Sequence, residues 1–167
     1  MAFDLKIGDM VGAGAVYKIN GAGVHQAIPT RDLLVNKRVI IFAGPAPFSR
    51  LDTEQAIAYA KLGKDLTKYV DNVYGLYCQD AFVMNHFDKH VKETVPDSSV
   101  EFYGDGDAFF VRAHKLEQDF THHGLGVRSI RYAIVVNNER IEFHASDDYK
   151  VIENTAPEKI LEWLRSQ

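Results

Sequence analysis

Residues 37–48 read Lys-Arg-Val-Ile-Ile-Phe-Ala-Gly-Pro-Ala-Pro-Phe, KRVIIFAGPAPF. Residues 39–43 are an unbroken apolar run, which suits a short strand buried on both faces of a parallel or mixed sheet. Gly44-Pro45-Ala46-Pro47 ends it, because proline cannot donate to a ladder. Downstream, Asp52-Thr53-Glu54-Gln55 has a capping-box pattern, with a helix expected behind it through Ala56, Ala60, Gly63, Leu66 and Val70. Asp71-Asn72 reads as a turn and residues 73–78 as a second buried strand. Asp80 then caps a helix with Val83, Phe87 and Val91 on one face.

Further on, residues 100–103 form a third strand candidate, 104–107 a turn cluster, 108–116 a short helix and 121–126 a loop. Residues 131–136 and 140–143 alternate as a hairpin around Asn137-Asn138. Thr155-Ala156-Pro157-Glu158 repeats the capping-box pattern before a closing helix with Ile160, Leu161 and Leu164 inward. Upstream, residues 1–35 are rich in glycine (Gly8, Gly12, Gly14, Gly21, Gly23) and read as strands and turns packed against the rest. Strands alternating with helices give an α/β fold with a mixed central sheet flanked by helices, a single domain over residues 1–167.

The composition narrows the function. The 167 residues are 46% hydrophobic and 25% charged, which excludes wholesale disorder. A net charge of −4 argues against a nucleic-acid footprint. No apolar run is long enough for a membrane span, and the start shows no signal peptide, so a cytoplasmic protein is expected. The one cysteine, Cys78, excludes an internal disulfide and any zinc site built on several thiolates.

Four segments, in order, resemble the peroxiredoxins, an antioxidant family of thioredoxin-like fold, and most of all their type-five-like redoxin branch. They are KRVIIFAGPAPF at 37–48, QDAFVM at 79–84, FYGDGDAF at 102–109 and GLGVRSIRYAIVV at 124–136. The resemblance implies a thiol-dependent peroxidase. Its peroxidatic cysteine would sit at a helix start, activated by the helix dipole and an arginine, with a threonine hydroxyl beside it. At that place this chain has Pro45, Ser49, Leu51 and Asp52. Ser49 falls on the threonine, and either Leu51 or Asp52 falls on the cysteine, depending on the direction of counting. Arg131 falls on the arginine, with Arg128 three positions earlier. A carboxylate has no oxidation step to match the thiolate-to-sulfenic acid step. Asp52 is therefore expected to pair with Arg131 and plug the old pocket, within about 6 Å.

Other residues have bland and chemical readings. Cys78 reads as a small buried hydrophobe, or as a relocated reactive thiol. His86 and His90 have the i, i+4 spacing of metal ligands, and His114 with His122-His123 makes a loop cluster, but neither brings an obvious full ligand set, so no metal is expected. Gly12-Ala13-Gly14 is half a dinucleotide fingerprint without the third glycine, so no cofactor is expected. Asp105 and Asp107 around Gly106 fit a turn better than a calcium loop. Arg50, Arg128 and Arg131 could make a small anion pocket beside a helix start. Phe109, Phe110, Phe120 and Tyr132 read as core, or as a dimer interface. The expected protein is thus a degenerate peroxiredoxin, a pseudoenzyme serving as scaffold or interaction module in a homodimer, a larger assembly or with a protein partner. A Cys78-dependent peroxidase and an anion-binding pocket are the alternatives.

Overall fold

A computed structural model describes residues 4–167. The run after Lys37 is the strand β3, Arg38–Ala43, with five of its six residues buried. It pairs in parallel with β4, Asn72–Tyr77, and antiparallel with β8, Arg131–Asn137. Around them lie β1 (Ala15–Ile19), β2 (His25–Pro29), β5 (Glu101–Gly104) and β9 (Arg140–Asp147), in the order β2-β1-β5-β4-β3-β8-β9. The glycine-rich N-terminal region therefore does more than pack on the sheet: its hairpin extends it, through Tyr17 against Gly104.

Alternation splits the strands between two cores. Ile40, Phe42, Ala133 and Val135 face the helices α1 (Arg50–Lys61), α3 (Ala81–Thr94) and α5 (Pro157–Arg165). Leu66, from the single turn α2 (Gly63–Leu66), joins that side. Val39, Ile41, Ile134 and Val136 face the N-terminal segment and α4 (Phe109–Ala113), which contributes Phe110 and Val111. In α3 the buried stripe is Ala81, Met84, Phe87 and Val91, with Met84 in place of the expected Val83.

Three local expectations are corrected. The N-cap of α1 is Ser49, whose hydroxyl accepts from the Asp52 N–H; Asp52 is inside the first turn. Ala156 precedes α5 with no side-chain cap, and Pro157 opens the helix with a preset φ. Thr155 instead turns inward to Asp147. The β8–β9 turn is Asn138-Glu139, both at positive φ (46° and 70°), one residue later than expected. A short hairpin, β6 (Glu117–Asp119) with β7 (Val127–Ser129), brackets the loop expected over 121–126. Its three-residue strands carry too little periodicity to be read.

Candidate functional site

The Gly44-Pro45-Ala46-Pro47 turn drops the chain from the end of β3 onto the N-terminus of α1. Asp52, in that first turn, is 1% exposed, and so is Arg131 at the start of β8. Arg131 Nη1 donates to Asp52 Oδ1 at 2.9 Å and to Gln55 Oε1, one turn further along α1. Arg131 Nη2 donates to the Tyr149 carbonyl at 3.0 Å. The second Asp52 oxygen accepts from Ala46 N–H and the Ser49 hydroxyl, both at 3.0 Å. The expected pairing is formed: buried charges of opposite sign with further hydrogen bonds on both sides, Arg131 Nε alone of the two charged groups' polar atoms lacking a partner among the described residues.

Gly44 makes the pair possible. A Cβ there would lie 1.7 Å from Asp52 Oδ1 and 2.8 Å from Arg131 Nη1. The loop opposite is held by Asp147, which accepts from the backbone of Glu153, Asn154 and Thr155 and from the Thr155 hydroxyl. Those bonds hold its carboxyl below the usual range, against the desolvation that works to raise it. Gln55 and Tyr59 of α1 reach the same loop at Thr155.

The pair does not fill the pocket. Above it remains a cavity of about 440 Å³, with Pro45, Leu51, Phe120, Leu125 and Tyr149 in its walls and Arg50, His123 and Lys150 also lining it. Ser49, Leu51 and Asp52 all line this cavity, so Leu51 is wall and Asp52 is floor. The plug expected from the sequence is thus a floor under open space.

The arginines do not converge. Arg128 is spent on the carbonyls of Pro45 and Leu125, and Arg50 is exposed and paired with Glu54 at 3.1 Å. Two amides at the helix start are occupied, Asp52 N–H by Ser49 and Ala46 N–H by Asp52. An anion at this helix start would meet an Arg131 whose two Nη groups are engaged and whose buried Nε has no partner among the described residues.

Cys78 is not among the residues that line the cavity. It is 7% exposed in the core on the α4 side, with its thiol 3.9 Å from Asp105 Oδ2. Burial, and then the Asp105 carboxylate, push the thiol up to about 12, the opposite of activation. Asp105 itself accepts from the N–H groups of Phe110 and Val111 and secures the start of α4, a structural role for that turn.

The histidine cluster comes apart. His114 Nε2 accepts from the backbone N–H groups of Gly12 and Ala13, at 3.4 and 3.3 Å. The N–H groups of Gly12 and Ala13 thus engage a side chain. The rings of His122 and His123 touch in a tilted contact, 4.3 Å between centroids, and His123 Nε2 lies 3.4 Å from the Tyr149 hydroxyl. His90 faces Glu93 and the ring of Phe48. Among the described residues no three His, Cys, Asp or Glu side chains are grouped as a metal site. Phe110, Phe120 and Tyr132 are core, but Phe109 is 56% exposed, over Gly14. What the sequence did not signal is the 147–155 loop, whose Tyr149 and Lys150 complete the cavity from far along the chain.

No family model matches the chain. It is 32% identical over 149 residues to a peroxiredoxin of Rhizobium etli, covering 82% of this chain and 79% of that one. It is 28% identical over 137 residues to peroxiredoxin-2C of Oryza sativa, covering 81% and 83%. The crystal structure of reduced Prx3 of Vibrio vulnificus in complex with H2O2 superposes with a TM-score of 0.85 at 29% identity, over 96% of each chain. No helix among the described residues is long and apolar enough to cross a membrane.

Proposed function

Because the chain belongs to the peroxiredoxin family, we propose that it is a member in which the Asp52 carboxylate stands where the nucleophilic thiolate would be, and that it works without turning over hydroperoxide. Its role on this reading is that of a non-catalytic binding and assembly module, one functional unit over its 167 residues, of the type-five-like branch. The order of the four motifs supports the branch. Asp52 rather than Leu51 is favoured as the replacement because Asp52, not Leu51, meets the arginine and the serine hydroxyl.

The observation that carries the proposal is the buried Asp52–Arg131 pair. Peroxide reduction forms an S–O bond, breaks O–O and releases water, leaving a sulfenic acid. A carboxylate already bonded to a guanidinium, a hydroxyl and an amide offers no such acceptor of an oxygen atom. The Cys78 alternative has the opposite support: a thiol pushed up to about 12, away from the cavity. Self-association is supported by large apolar side chains left at the surface, Phe48 at 48%, Phe82 at 61% and Phe109 at 56% exposed.

The deciding assay adds hydrogen peroxide with dithiothreitol or a thioredoxin system and follows consumption. The expected result is no turnover above that of the reductant alone. Appreciable turnover that disappears in Cys78→Ser would overturn the proposal.

A further inference from the structure

We propose that the cavity above the Asp52–Arg131 pair binds an amphipathic monoanion, a carboxylate with an apolar tail of medium length, tail inward and headgroup at Lys150. The inference rests on the reading that this pocket does not consume hydroperoxide, and it names the class of ligand the pocket takes instead.

Three features lead to this ligand. First, the volume of about 440 Å³ lies within the roughly 300–1,000 Å³ of small-molecule sites, and the walls are predominantly apolar. A small hydrated anion would gain little from them. Second, the floor is a paired carboxylate and guanidinium with no net charge to offer. Asp52 is the one acidic residue lining the cavity, and both its oxygens are engaged. The Nη groups of Arg131 donate to Asp52, Gln55 and Tyr149, while its buried Nε has no partner among the described residues. Third, the remaining polar lining is cationic or neutral. Lys150 is exposed, has no carboxylate within 4.0 Å among the described residues, and holds its ammonium 5.4 Å from the Tyr149 ring centroid. Arg50 and His123 lie on the same lining. An uncharged tail alone would leave this charge unused, and a cation would be repelled. The loop bearing Tyr149 and Lys150 is fixed by Asp147, so the site exists before the ligand arrives.

The test is calorimetric titration of the full chain near neutral pH with acetate, hexanoate, octanoate and 1-octanol. Octanoate is expected to bind saturably at one site. Affinity should fall up to about fourfold for each methylene removed, and acetate should give no saturable heat. Lys150→Gln should weaken octanoate about threefold and leave 1-octanol unchanged. Leu51→Glu, placing a carboxylate in the wall, should abolish octanoate binding, with folding checked by circular dichroism. No saturable octanoate binding, or an equal response of octanoate and 1-octanol with Lys150→Gln silent, overturns the proposal. Peroxide consumption is measured on the same preparation. Turnover there would overturn the non-catalytic reading by itself, while the titration alone decides the ligand.

Discussion

Asp52 Oδ1 and Arg131 Nη1 stand 2.9 Å apart with each side chain 1% exposed, joining the first turn of α1 to the start of β8. Removing one partner of such a pair strands a buried charge. Asp52→Ala is expected to cost about 3–5 kcal/mol, whereas Asp52→Leu combined with Arg131→Met should cost much less than the sum of the two. Urea unfolding of the parent, Asp52→Ala, Asp52→Leu, Arg131→Met and the double variant checks this. A single-mutant loss under about 1 kcal/mol would mean that the charges are not buried as described.

Gly44 is the space that the carboxylate occupies. Gly44→Ala should destabilise by about 1–3 kcal/mol, since its Cβ would overlap Asp52 Oδ1. In an Asp52→Ala background the same change should be markedly milder. Equal penalties in both backgrounds, measured by thermal unfolding, would assign the cost to the backbone of the turn.

Asp52→Cys would return a sulfur to a helix start beside a guanidinium and the Ser49 hydroxyl, where a thiolate is favoured. The expected outcome is dithiothreitol-dependent peroxide consumption, absent in the parent protein and lost again on adding Arg131→Met. A folded Asp52→Cys protein with no consumption would separate Asp52 from the nucleophile's position.

Cys78 should be inert in the native state. With its thiol pushed up to about 12, the thiolate fraction at pH 8 is roughly a thousandfold below that of a free cysteine. Labelling by a chromogenic disulfide should be slow until denaturant is added, then complete within the mixing time. Rapid native labelling would contradict the burial of this side chain.

His114 gives stability a pH dependence. Burial, which disfavours the charged ring, holds its imidazole below the ordinary range, and the neutral ring accepts from Gly12 and Ala13. The unfolded chain therefore takes the proton first, near pH 6.5, and the protein should lose stability as pH falls from 7 through that value. His114→Gln, which keeps an acceptor but does not titrate, should flatten the profile between pH 5 and 7. Parallel curves for the two proteins would rule His114 out as the cause.

Much of the fold was legible because its signals are local. The apolar runs of β3, β4 and β8, the Asp80 cap of α3 and the inward face of α5 each follow from neighbouring residues and their spacing. The helix caps around Ser49 and Thr155 were misplaced because serine, threonine and aspartate compete for the same amides. Tertiary contacts decided among them: Arg131 claimed Asp52 and Asp147 claimed Thr155.

The chain order alone determined the layered α/β fold and the lack of a second thiol, while the place of Arg131 opposite a helix start came from the family resemblance. Only the tertiary structure could decide that Asp52 rather than Leu51 faces the guanidinium, that Cys78 lies in the other core, and that a cavity stays open above the pair. Those facts depend on residues about 80 positions apart meeting across β3 and β8 (79 for Asp52 and Arg131). Periodicity reports which face of an element is buried. It carries no information about which buried group meets which.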